Sequence, residues 1–360
     1  MTPTDEQAIA FIRDLVDTPS VSGNEAAAVE RFIAFADLLG FETETDEAGN
    51  GIARCGDLSE SATEIALLGH IDTVPGDIPV RIEDGILDGR GSVDAKGPLA
   101  AMLCAAARAE LSEGVRCTVI AALGEETPHS PGANHVRSRL SPAACVIGEP
   151  SGWDGVTLGY KGRLVIHARA ETTTSHSAGP EESATDLLLN WWRRVLDRID
   201  AFNNDHTRLF DRVLVSARSI SSGGDGLNEW AEIRGGFRLP PALGPDEMEA
   251  LCREAAPDQL TIEVEGKEVA HAVTRSDPVV QAISSAIRDM GAQPRPKLKT
   301  GTADLNVVGP VWNCPIAAYG PGDSTLDHTP HEHLVLDEYL KSIGVLATAL
   351  PRIAASVIRV

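Results

Sequence analysis

Lysine is scarce in this chain, and so are aromatic residues and long apolar runs. Only six lysines occur, and 53 acidic residues outnumber 31 basic ones, which gives a formal charge of −22. Nucleic-acid-binding proteins carry a basic footprint, so we expect no nucleic acid as a partner. No apolar run reaches the roughly 18 residues of a membrane-spanning helix, so we expect no membrane as a partner either.

Cysteine spacing and the N-terminal composition both indicate the cytoplasm. The six cysteines are scattered and form no Cys-x-x-Cys pair. The first ten residues are polar and acidic, without the basic and then apolar pattern of a secretory signal. We therefore expect reduced, mostly buried thiols and a cytoplasmic protein.

The acidic balance has two interpretations. The chain is either an ordinary acidic, soluble enzyme or one adapted to high salt, where charges are screened over roughly 3 Å at 1 M. Few lysines beside many Asp and Glu residues favour the second interpretation. Composition alone leaves the choice open.

Segments of strand type and helix type alternate along the chain. This alternation predicts an α/β fold with a mixed, mostly parallel sheet, and a length of 360 residues favours two domains. Asn24 should cap the second helix and Gly40 should end it. In the first part of the chain the predicted strands are 65–68, 115–123 and 144–147, and the predicted helices are 6–16, 24–39 and 98–111.

The segment 161–268 contains few potential metal ligands. We interpret it as an inserted α+β domain, and residues 1–160 with 269–360 as the catalytic, metal-binding domain. The predicted strands of the inserted domain are 163–170, 213–219, 232–239 and 260–264, and its predicted helices are 182–199 and 244–255.

Acidic or imidazole side chains follow three of the predicted strands. They are His70, the pair Glu125-Glu126, and Glu149. Open α/β sheets place their sites at the carboxyl ends of strands. Taken alone, His70 could be a strand-end histidine with an incidental Asp72 nearby. Adjacent glutamates usually lie on a solvated surface, but after a buried strand two unpaired charges are costly without compensation.

Residues 89–98 form a glycine-rich turn that leads into a predicted helix. The spacing matches neither Gly-x-Gly-x-x-Gly nor a P-loop, so nucleotide binding is disfavoured, and with it a nucleotide-dependent oxidoreductase. The glycines instead allow the backbone to present Asp94, whose single carboxylate can bridge two cations.

Taken in chain order, the acidic and imidazole side chains form the set of groups that a two-metal hydrolase requires. Carboxylates mixed with neutral imidazoles suit a borderline divalent ion such as Zn²⁺, and Co²⁺ suits the same ligands. One carboxylate is then left over to act as a base. The set is His70, Asp72, Asp94, Glu125, Glu126, Glu149 and His328.

The order and local contexts of these residues resemble peptidase family M20, which contains metal-dependent aminoacylases, deacetylases and carboxypeptidases. The resemblance covers nearly the whole chain. It depends on Gly-His-x-Asp-x-Val-Pro at 69–75, Gly-Arg-Gly-x-x-Asp-x-Lys-Gly at 89–97, Gly-Glu-Glu at 124–126 and Gly-Glu-Pro at 148–150.

The resemblance implies a ligand set for two divalent cations, Zn²⁺ or Co²⁺. Asp94 would bridge them. His70 and Glu149 would complete one site, and Glu126 and His328 the other.

The resemblance also implies roles around these ligands. Asp72 would orient His70, Glu125 would be the general base, and the peptide bond from Asp94 to Ala95 would be cis. The family places its ligand histidine a few residues before a glutamate that opens the final helix. His328 and Glu332 match this pattern, and His331 and His333 would be exposed residues at the start of that helix.

The inserted domain resembles the family's lid and dimerisation domain, which implies a homodimer. Ser175-His176-Ser177-Ala178-Gly179 matches the segment whose histidine stabilises the oxyanion. The alternatives are a polar loop residue or a serine triad, and the absence of a Gly-x-Ser-x-Gly elbow disfavours the triad. Asn228 and Arg238 match lid residues that contact the substrate carboxylate.

A loop of the catalytic domain would also face the substrate. Gly301, Thr302 and Asp304 match the residues of this loop in the family.

The segments 159–163, 299–302 and 319–324 are similar to one branch of the family. That branch releases lysine or ornithine from the glutamate end of an amino-group carrier protein. The similarity implies the carrier protein as partner, Arg238 as the residue for the α-carboxylate and Asp323 for the distal ammonium.

Carrier proteins of this kind tend to be acidic, as this chain is. Either a local basic patch or high salt must then offset the repulsion. The candidate patch consists of Lys161, Arg163, Lys297 and Lys299.

Other activities stay open within the family. The first alternatives are acetylornithine deacetylase and succinyl-diaminopimelate desuccinylase, and a simple dipeptidase is less favoured. A non-catalytic, metal-binding relative is an alternative of another class. Glu125 argues against that class, because a binding relative can dispense with the base. The sequence does not separate lysine release from ornithine release.

Overall fold

Helices and strands follow one another through residues 1–176 and 178–358, which the computed structural model describes. The helices are α1 (Asp5–Asp17), α2 (Ala26–Leu39), α3 (Lys96–Arg108), α4 (Pro131–Val136), α5 (Ala184–Asn204), α6 (Pro245–Glu254), α7 (Pro278–Asp289), α8 (Asp304–Trp312) and α9 (Leu336–Val357). The strands are β1 (Glu42–Thr45), β2 (Gly51–Gly56), β3 (Thr63–His70), β4 (Arg81–Glu83), β5 (Ile86–Asp88), β6 (Val115–Ala122), β7 (Ala144–Gly148), β8 (Gly155–Tyr160), β9 (Gly162–Thr173), β10 (Leu214–Gly224), β11 (Asn228–Leu239), β12 (Leu260–Glu268), β13 (His271–Ala272), β14 (Arg295–Lys299), β15 (Ile316–Tyr319) and β16 (His333–Val335).

The chain divides into two compact units. The first contains Met1–Gly159, Val273–Leu298 and Ala303–Val360, and the second contains Tyr160–Ala272 and Lys299–Thr302. Thr302 packs within the second unit, where its Oγ1 donates to the carbonyl of Lys161 at 3.1 Å. The expectation that Gly301 and Thr302 belong to the catalytic domain is therefore wrong. The assignment of a catalytic and a lid domain stays a prediction.

The main sheet of the first unit has a parallel centre. The strand order is β1-β2-β6-β3-β7-β15-β8. Strand β3 runs parallel to both β6 and β7, and β15 runs parallel to β7, whereas β1 and β2 are antiparallel additions. The predicted α/β class with a mixed sheet is confirmed.

The three predicted strands end together at one edge of this sheet. Residues of β3, β6 and β7 are almost all buried, as continuous apolar runs in a parallel sheet should be. In the register, His70 lies opposite Ala122, and Gly69 lies opposite both Ala121 and Gly148. The residues that follow each strand are consequently delivered to the same place.

Helices α3, α7 and α9 cover the sheet of the first unit. Helix α3 is buried continuously from Lys96 to Ala106. It lies close to β3, because a Cβ on Gly69 would be 3.3 Å from Cβ of Leu99. Helix α9 is long and apolar enough by length and composition to cross a membrane, but its apolar face packs on α3 and α7.

The second unit is an antiparallel sheet with helices on it. The strand order is β10-β11-β9-β12. Helices α5 and α6 contribute Trp191, Leu188 and Met248 to its core, where they join Ile166 and Phe237 from the strands. Strand β10 lies at the sheet edge and is exposed along almost all of its length.

Two local expectations about helix starts are wrong. The residue before α2 is Glu25, which makes no capping bond from its side chain, so Asn24 is not the cap, whereas Gly40 ends the helix in the left-handed conformation as expected. Glu332 does not open the final helix. His333 belongs to the short strand β16, which pairs with β5 before α9 begins.

Candidate metal centre

Six acidic or imidazole side chains from five parts of the first unit meet beyond the strand ends. His70 is the last residue of β3, and Glu149 follows β7 directly. Glu125 and Glu126 follow β6 after a turn at Gly124, which has a φ of 68°. The other two are Asp94, just before α3, and His328, in the loop after β15.

Asp94 lies between two groups of potential ligands. Its Oδ1 is 3.2 Å from Nε2 of His70, and its Oδ2 is 3.1 Å from Nε2 of His328. Glu149 Oε1 lies 4.0 Å from the same atom of His70, and Glu126 Oε1 lies 2.8 Å from that of His328. The two trios share Asp94, and within each trio the donor atoms lie within 4.8 Å of one another.

A third trio shows that distance does not by itself separate a ligand from a base. Atoms of His70, Glu125 and Glu126 also lie within 4.8 Å of one another. The hydrogen bonds differ, however. Glu126 is paired with His328, whereas the Glu125 carboxylate makes no hydrogen bond or ion pair among the described residues.

The backbone around Asp94 depends on tight turns. The peptide bond between Asp94 and Ala95 is cis, which confirms the expectation from the resemblance. Gly97 is required, because a Cβ there would lie 2.3 Å from the carbonyl oxygen of Ser92. Gly97 therefore permits the tight turn that presents Asp94.

Asp72 organises two of the ligand segments at once. Its carboxylate is fully buried, lies 3.4 Å from Nδ1 of His70 and accepts a hydrogen bond from the hydroxyl of Ser22 at 2.6 Å. It also accepts the backbone N–H groups of Glu125 at 3.0 Å and Glu126 at 3.1 Å. Burial alone would raise the pKa of Asp72, but His70 and these donors lower it below its usual value.

The carboxylates of the cluster repel one another, so bound positive charge would stabilise it. Burial raises the pKa of Glu125 well above its usual value; His70 opposes this shift, and the carboxylates of Asp304, Glu149 and Glu126 reinforce it. Hydrogen bonds to Asp94 and Glu126 raise the pKa of His328 to about 10. Carboxylates and imidazoles arranged in two trios suit two divalent cations, so the donor set fits the expected metals.

Two further carboxylates near the cluster, those of Asp304 and Glu332, are buried, which the sequence did not indicate. Asp304 is 2% exposed rather than facing the substrate, its Oδ1 has no hydrogen-bond partner in the described part of the chain, and burial raises its pKa to about 7. Glu332 is buried against the Asp94 segment. Nothing local in the sequence distinguishes either residue from a surface carboxylate.

The other predicted site residues lie elsewhere. Arg238 donates from Nη1 to Thr302 Oγ1 at 2.6 Å within the second unit, beside Gly301. The exposed Asn228 is the first residue of β11, and its backbone N–H donates to Oδ1 of Asp225. Asp323 is exposed in the first unit and caps its own turn by accepting from the N–H of Thr325.

His176 belongs to the second unit as well. It is exposed, and its Nδ1 accepts the N–H of Ala178 at 3.1 Å. Ser177, the middle residue of the predicted oxyanion segment, lies outside the described residues.

At least three of the four residues of the expected basic patch are engaged internally, and Lys297 is one of them, since its Nζ donates to the carbonyl of Ser151 at 2.7 Å. Lys161 is fully buried and donates to the carbonyls of Leu209, Phe210 and Arg212. Arg163 forms a two-pronged ion pair with Glu268 at 2.8 and 2.9 Å. A patch that includes Lys161 and Arg163 is therefore wrong.

The sequence pattern of peptidase family M20/M25/M40 matches residues 66–352. The chain belongs to this family. A LysW-lysine hydrolase of Deinococcus radiodurans is 43% identical to this M20 chain over 98% of its residues and 99% of the relative. A protein of Thermococcus kodakarensis with the provisional name LysW-lysine/LysW-ornithine hydrolase is 37% identical over 96% of this chain and 92% of the relative.

Solved structures agree on the fold of this M20 chain. The aminopeptidase PepT of Bacillus cereus superposes with a TM-score of 0.79 at 19% identity, covering 98% of this chain and all of that one. The YxeP protein of Bacillus subtilis, described as a dinuclear metal-binding M20 peptidase, gives 0.69 at 15% identity and covers 98% of both chains. The predicted family is confirmed, and with it a metal-dependent hydrolase that acts on amide bonds.

Proposed function

We propose that the enzyme hydrolyses the amide that joins lysine or ornithine to the glutamate end of an amino-group carrier protein. The observation that carries the reaction type is a half-buried Glu125, without a hydrogen bond or ion pair among the described residues, beside two donor trios that share Asp94. The carrier-linked substrate is supported by the relatives, whose names refer to lysine and ornithine bound to LysW and which match this chain over nearly its full length.

The residues present would hold two divalent cations. One would be bound by His70, Asp94 and Glu149, and the other by Asp94, Glu126 and His328. Bound divalent cations supply Lewis acidity, which makes water more acidic and polarises a carbonyl. We propose Zn²⁺, with Co²⁺ as the substitute that the same ligands accept. Metal analysis of the purified enzyme, and reactivation of the metal-free form by each ion, will identify the cation.

Glu125 would move the protons. Its carboxylate would take one from the attacking water and deliver it to the departing amine nitrogen. A raised pKa in the absence of cations is consistent with a group that can hold this proton. Asp72 keeps the Glu125 backbone fixed and orients the His70 ring, so that the base stays in place while its proton moves.

Four residues would recognise the rest of the substrate. His176 would stabilise the oxyanion, Arg238 with Asn228 would bind the α-carboxylate, and Asp323 would bind the distal ammonium. Gly301 and Thr302 would bind the substrate beside Arg238 in the second unit, since Thr302 accepts a hydrogen bond from Arg238. Replacing Asp323 with Asn should raise KM for the lysine-loaded carrier more than it lowers kcat.

A steady-state assay tests the choice of substrate. We expect a higher kcat/KM for the lysine- or ornithine-loaded carrier protein than for free N-acetylornithine or succinyl-diaminopimelate. Mass spectrometry of the released amino acid separates lysine from ornithine. Faster cleavage of N-acetylornithine would reassign the enzyme to the acetylornithine deacetylases, and inactivity on every amide would favour the non-catalytic alternative.

We also propose a cytoplasmic homodimer. The six cysteines are free thiols, as a reducing compartment requires. Strand β10 presents an open sheet edge, which a second copy could extend by antiparallel pairing. Light scattering should give twice the mass of one chain, and Ile220→Lys on the exposed face of β10 should shift it towards the monomer.

A further inference from the structure

Glu332 makes its contacts almost entirely with the Asp94 segment. The side chain is 1% exposed. Its Oε1 accepts the backbone N–H of Val93 at 2.9 Å and of Asp94 at 3.1 Å, and its Oε2 accepts Nη1 of Arg90 at 2.7 Å. One carboxylate therefore holds both the backbone and the start of the loop that carries the shared ligand.

The backbone of Glu332 is itself fixed to the same region. Its carbonyl accepts the N–H of Gly89 at 3.4 Å. The next residues form β16, which pairs with β5 so that His333 lies opposite Asp88. Arg90 is anchored too, because its Nε donates to the carbonyl of Gly76 at 3.1 Å. Glu332 thus has little freedom to follow a displaced Asp94.

Glu332 also lies four residues after His328. It connects the segment that contains His328 to the segment that contains Asp94, although these lie at opposite ends of the sequence. The Nε2 of His328 lies 3.1 Å from Asp94 Oδ2 and 2.8 Å from Glu126 Oε1. The pair of His328 and Asp94 thus consists of one residue from each of the two segments that Glu332 connects.

A buried carboxylate without partners would be strongly destabilising. Here three donors satisfy it, and the guanidinium of Arg90 supplies the opposite charge. Such charge-assisted bonds are short and directional, which suits a group that fixes a position.

We infer that Glu332, held by Arg90, is a positioning residue that sets the relation between Asp94 and His328. It thereby determines how tightly the cation site of Asp94, Glu126 and His328 holds its ion. The site of His70, Asp94 and Glu149 depends on it less, because Asp72 and the end of β3 fix the His70 side. This inference rests on the two-cation site of the proposed function.

The test measures cations rather than turnover. Glu332→Gln retains the size of the side chain but removes its charge and one acceptor. We expect two cations per chain in the wild type, and in the variant one cation that is held as tightly as before and one whose affinity is about 10- to 100-fold weaker. Competition with a chelator gives both constants, and the absorption spectrum of the Co²⁺ form shows which site has changed.

Glu64→Gln is the matched control. Glu64 is a half-buried carboxylate of the first unit that bonds to Arg116 and Thr118, but it lies at the start of β3, at the opposite end of the strand from His70. Its variant should keep both cations at wild-type affinity, even if its melting temperature falls. High Zn²⁺ should restore the second cation in Glu332→Gln and raise kcat towards the wild type.

The outcomes are separable. If Glu332→Gln keeps both cations at wild-type affinity, the inference is overturned while the proposed function stands. If the wild type binds fewer than two cations, both fail. Should Glu332→Gln not fold, Arg90→Met takes its place. The expected selective weakening of one cation then supports the inference, and unchanged binding overturns it.

Discussion

Asp72 and Glu332 contact the backbone in the same way. Each is a buried carboxylate that accepts two consecutive N–H groups, from Glu125 and Glu126 in one case and from Val93 and Asp94 in the other. The acidic residues of the site are therefore placed through their backbone, and not only through packing of their own side chains. Conservative changes at Asp72 and Glu332 should consequently disturb several functional groups at once.

Glu125 and Glu126 are neighbours, and we expect their replacement by Gln to have different effects. Glu125→Gln should leave the cation content near two per chain and lower kcat by about 10²- to 10⁴-fold, because the proton acceptor is lost. Glu126→Gln should lower the cation content, because Glu126 pairs with His328 in the second trio. Metal analysis and steady-state kinetics on the same preparations check both. Substantial activity in Glu125→Gln would remove it from the role of base.

The sequence predicts some of these residues because their signal is local. His70 ends one apolar strand, Glu125 and Glu149 lie just beyond the ends of two others, and the carboxyl ends of parallel strands meet at one edge. Glu332 has no such signal. Its backbone partners lie 238 and 239 residues earlier in the chain, so only the folded structure reveals them.

At the scale of elements, long apolar segments are predicted well and short edge strands are not. The strands β3, β6 and β7 and the helix α1 occur close to their predicted bounds, because hydrophobic pattern and length determine them. Strands β1, β4, β5 and β16 have three or four residues each, and their pairing with distant partners rather than their own pattern defines them. Exposed β10 extends beyond its prediction for the same reason, since β11 supports it.

Lys161 shows how one buried charge fixes an element. The sequence predicts a surface lysine, but its ammonium group donates to three carbonyls of the 209–212 segment that leads into β10. Lys161→Met would leave these carbonyls without their donor, at a cost of about 1–3 kcal/mol for each unsatisfied buried group. We expect the urea concentration at the midpoint of unfolding of the second unit to fall. The fluorescence of the tryptophans in that unit measures this transition.

Lys267→Met is the control for that change. Lys267 pairs with Asp246 and Glu249 on the surface of the same unit, where ion pairs contribute little. A midpoint shift as large as that of Lys161→Met would mean that burial of Lys161 is not the cause.

At the scale of the whole molecule, the two units should respond differently to metal removal. The acidic cluster lies entirely in the first unit, where repulsion among its carboxylates opposes folding once cations are removed. Bound cations at about 100 times their dissociation constant contribute about 2.7 kcal/mol. Chelation should therefore increase hydrogen exchange in β3, β6 and β7 and leave β9 and β11 unchanged. Equal increases in both units would contradict a site confined to the first.

The charge of −22 makes a prediction about salt. Among the described residues many of the basic side chains are already paired with Asp or Glu, as Arg54, Arg163 and Arg234 are, so the excess carboxylates face mainly one another. Screening shortens from about 10 Å at 0.1 M salt to about 3 Å at 1 M. We expect the melting temperature to rise between these KCl concentrations, because repulsion among the carboxylates of the enzyme weakens. The rate of cleavage of an acidic carrier should rise as well, because repulsion between the enzyme and the carrier also weakens. A small neutral substrate separates the two effects, because the enzyme does not repel it. Its rate of cleavage should rise with salt only as far as the added stability of the enzyme raises it. A melting temperature that is flat or falls with KCl would identify an ordinary acidic enzyme, for which a local basic surface would have to bring the carrier to the site.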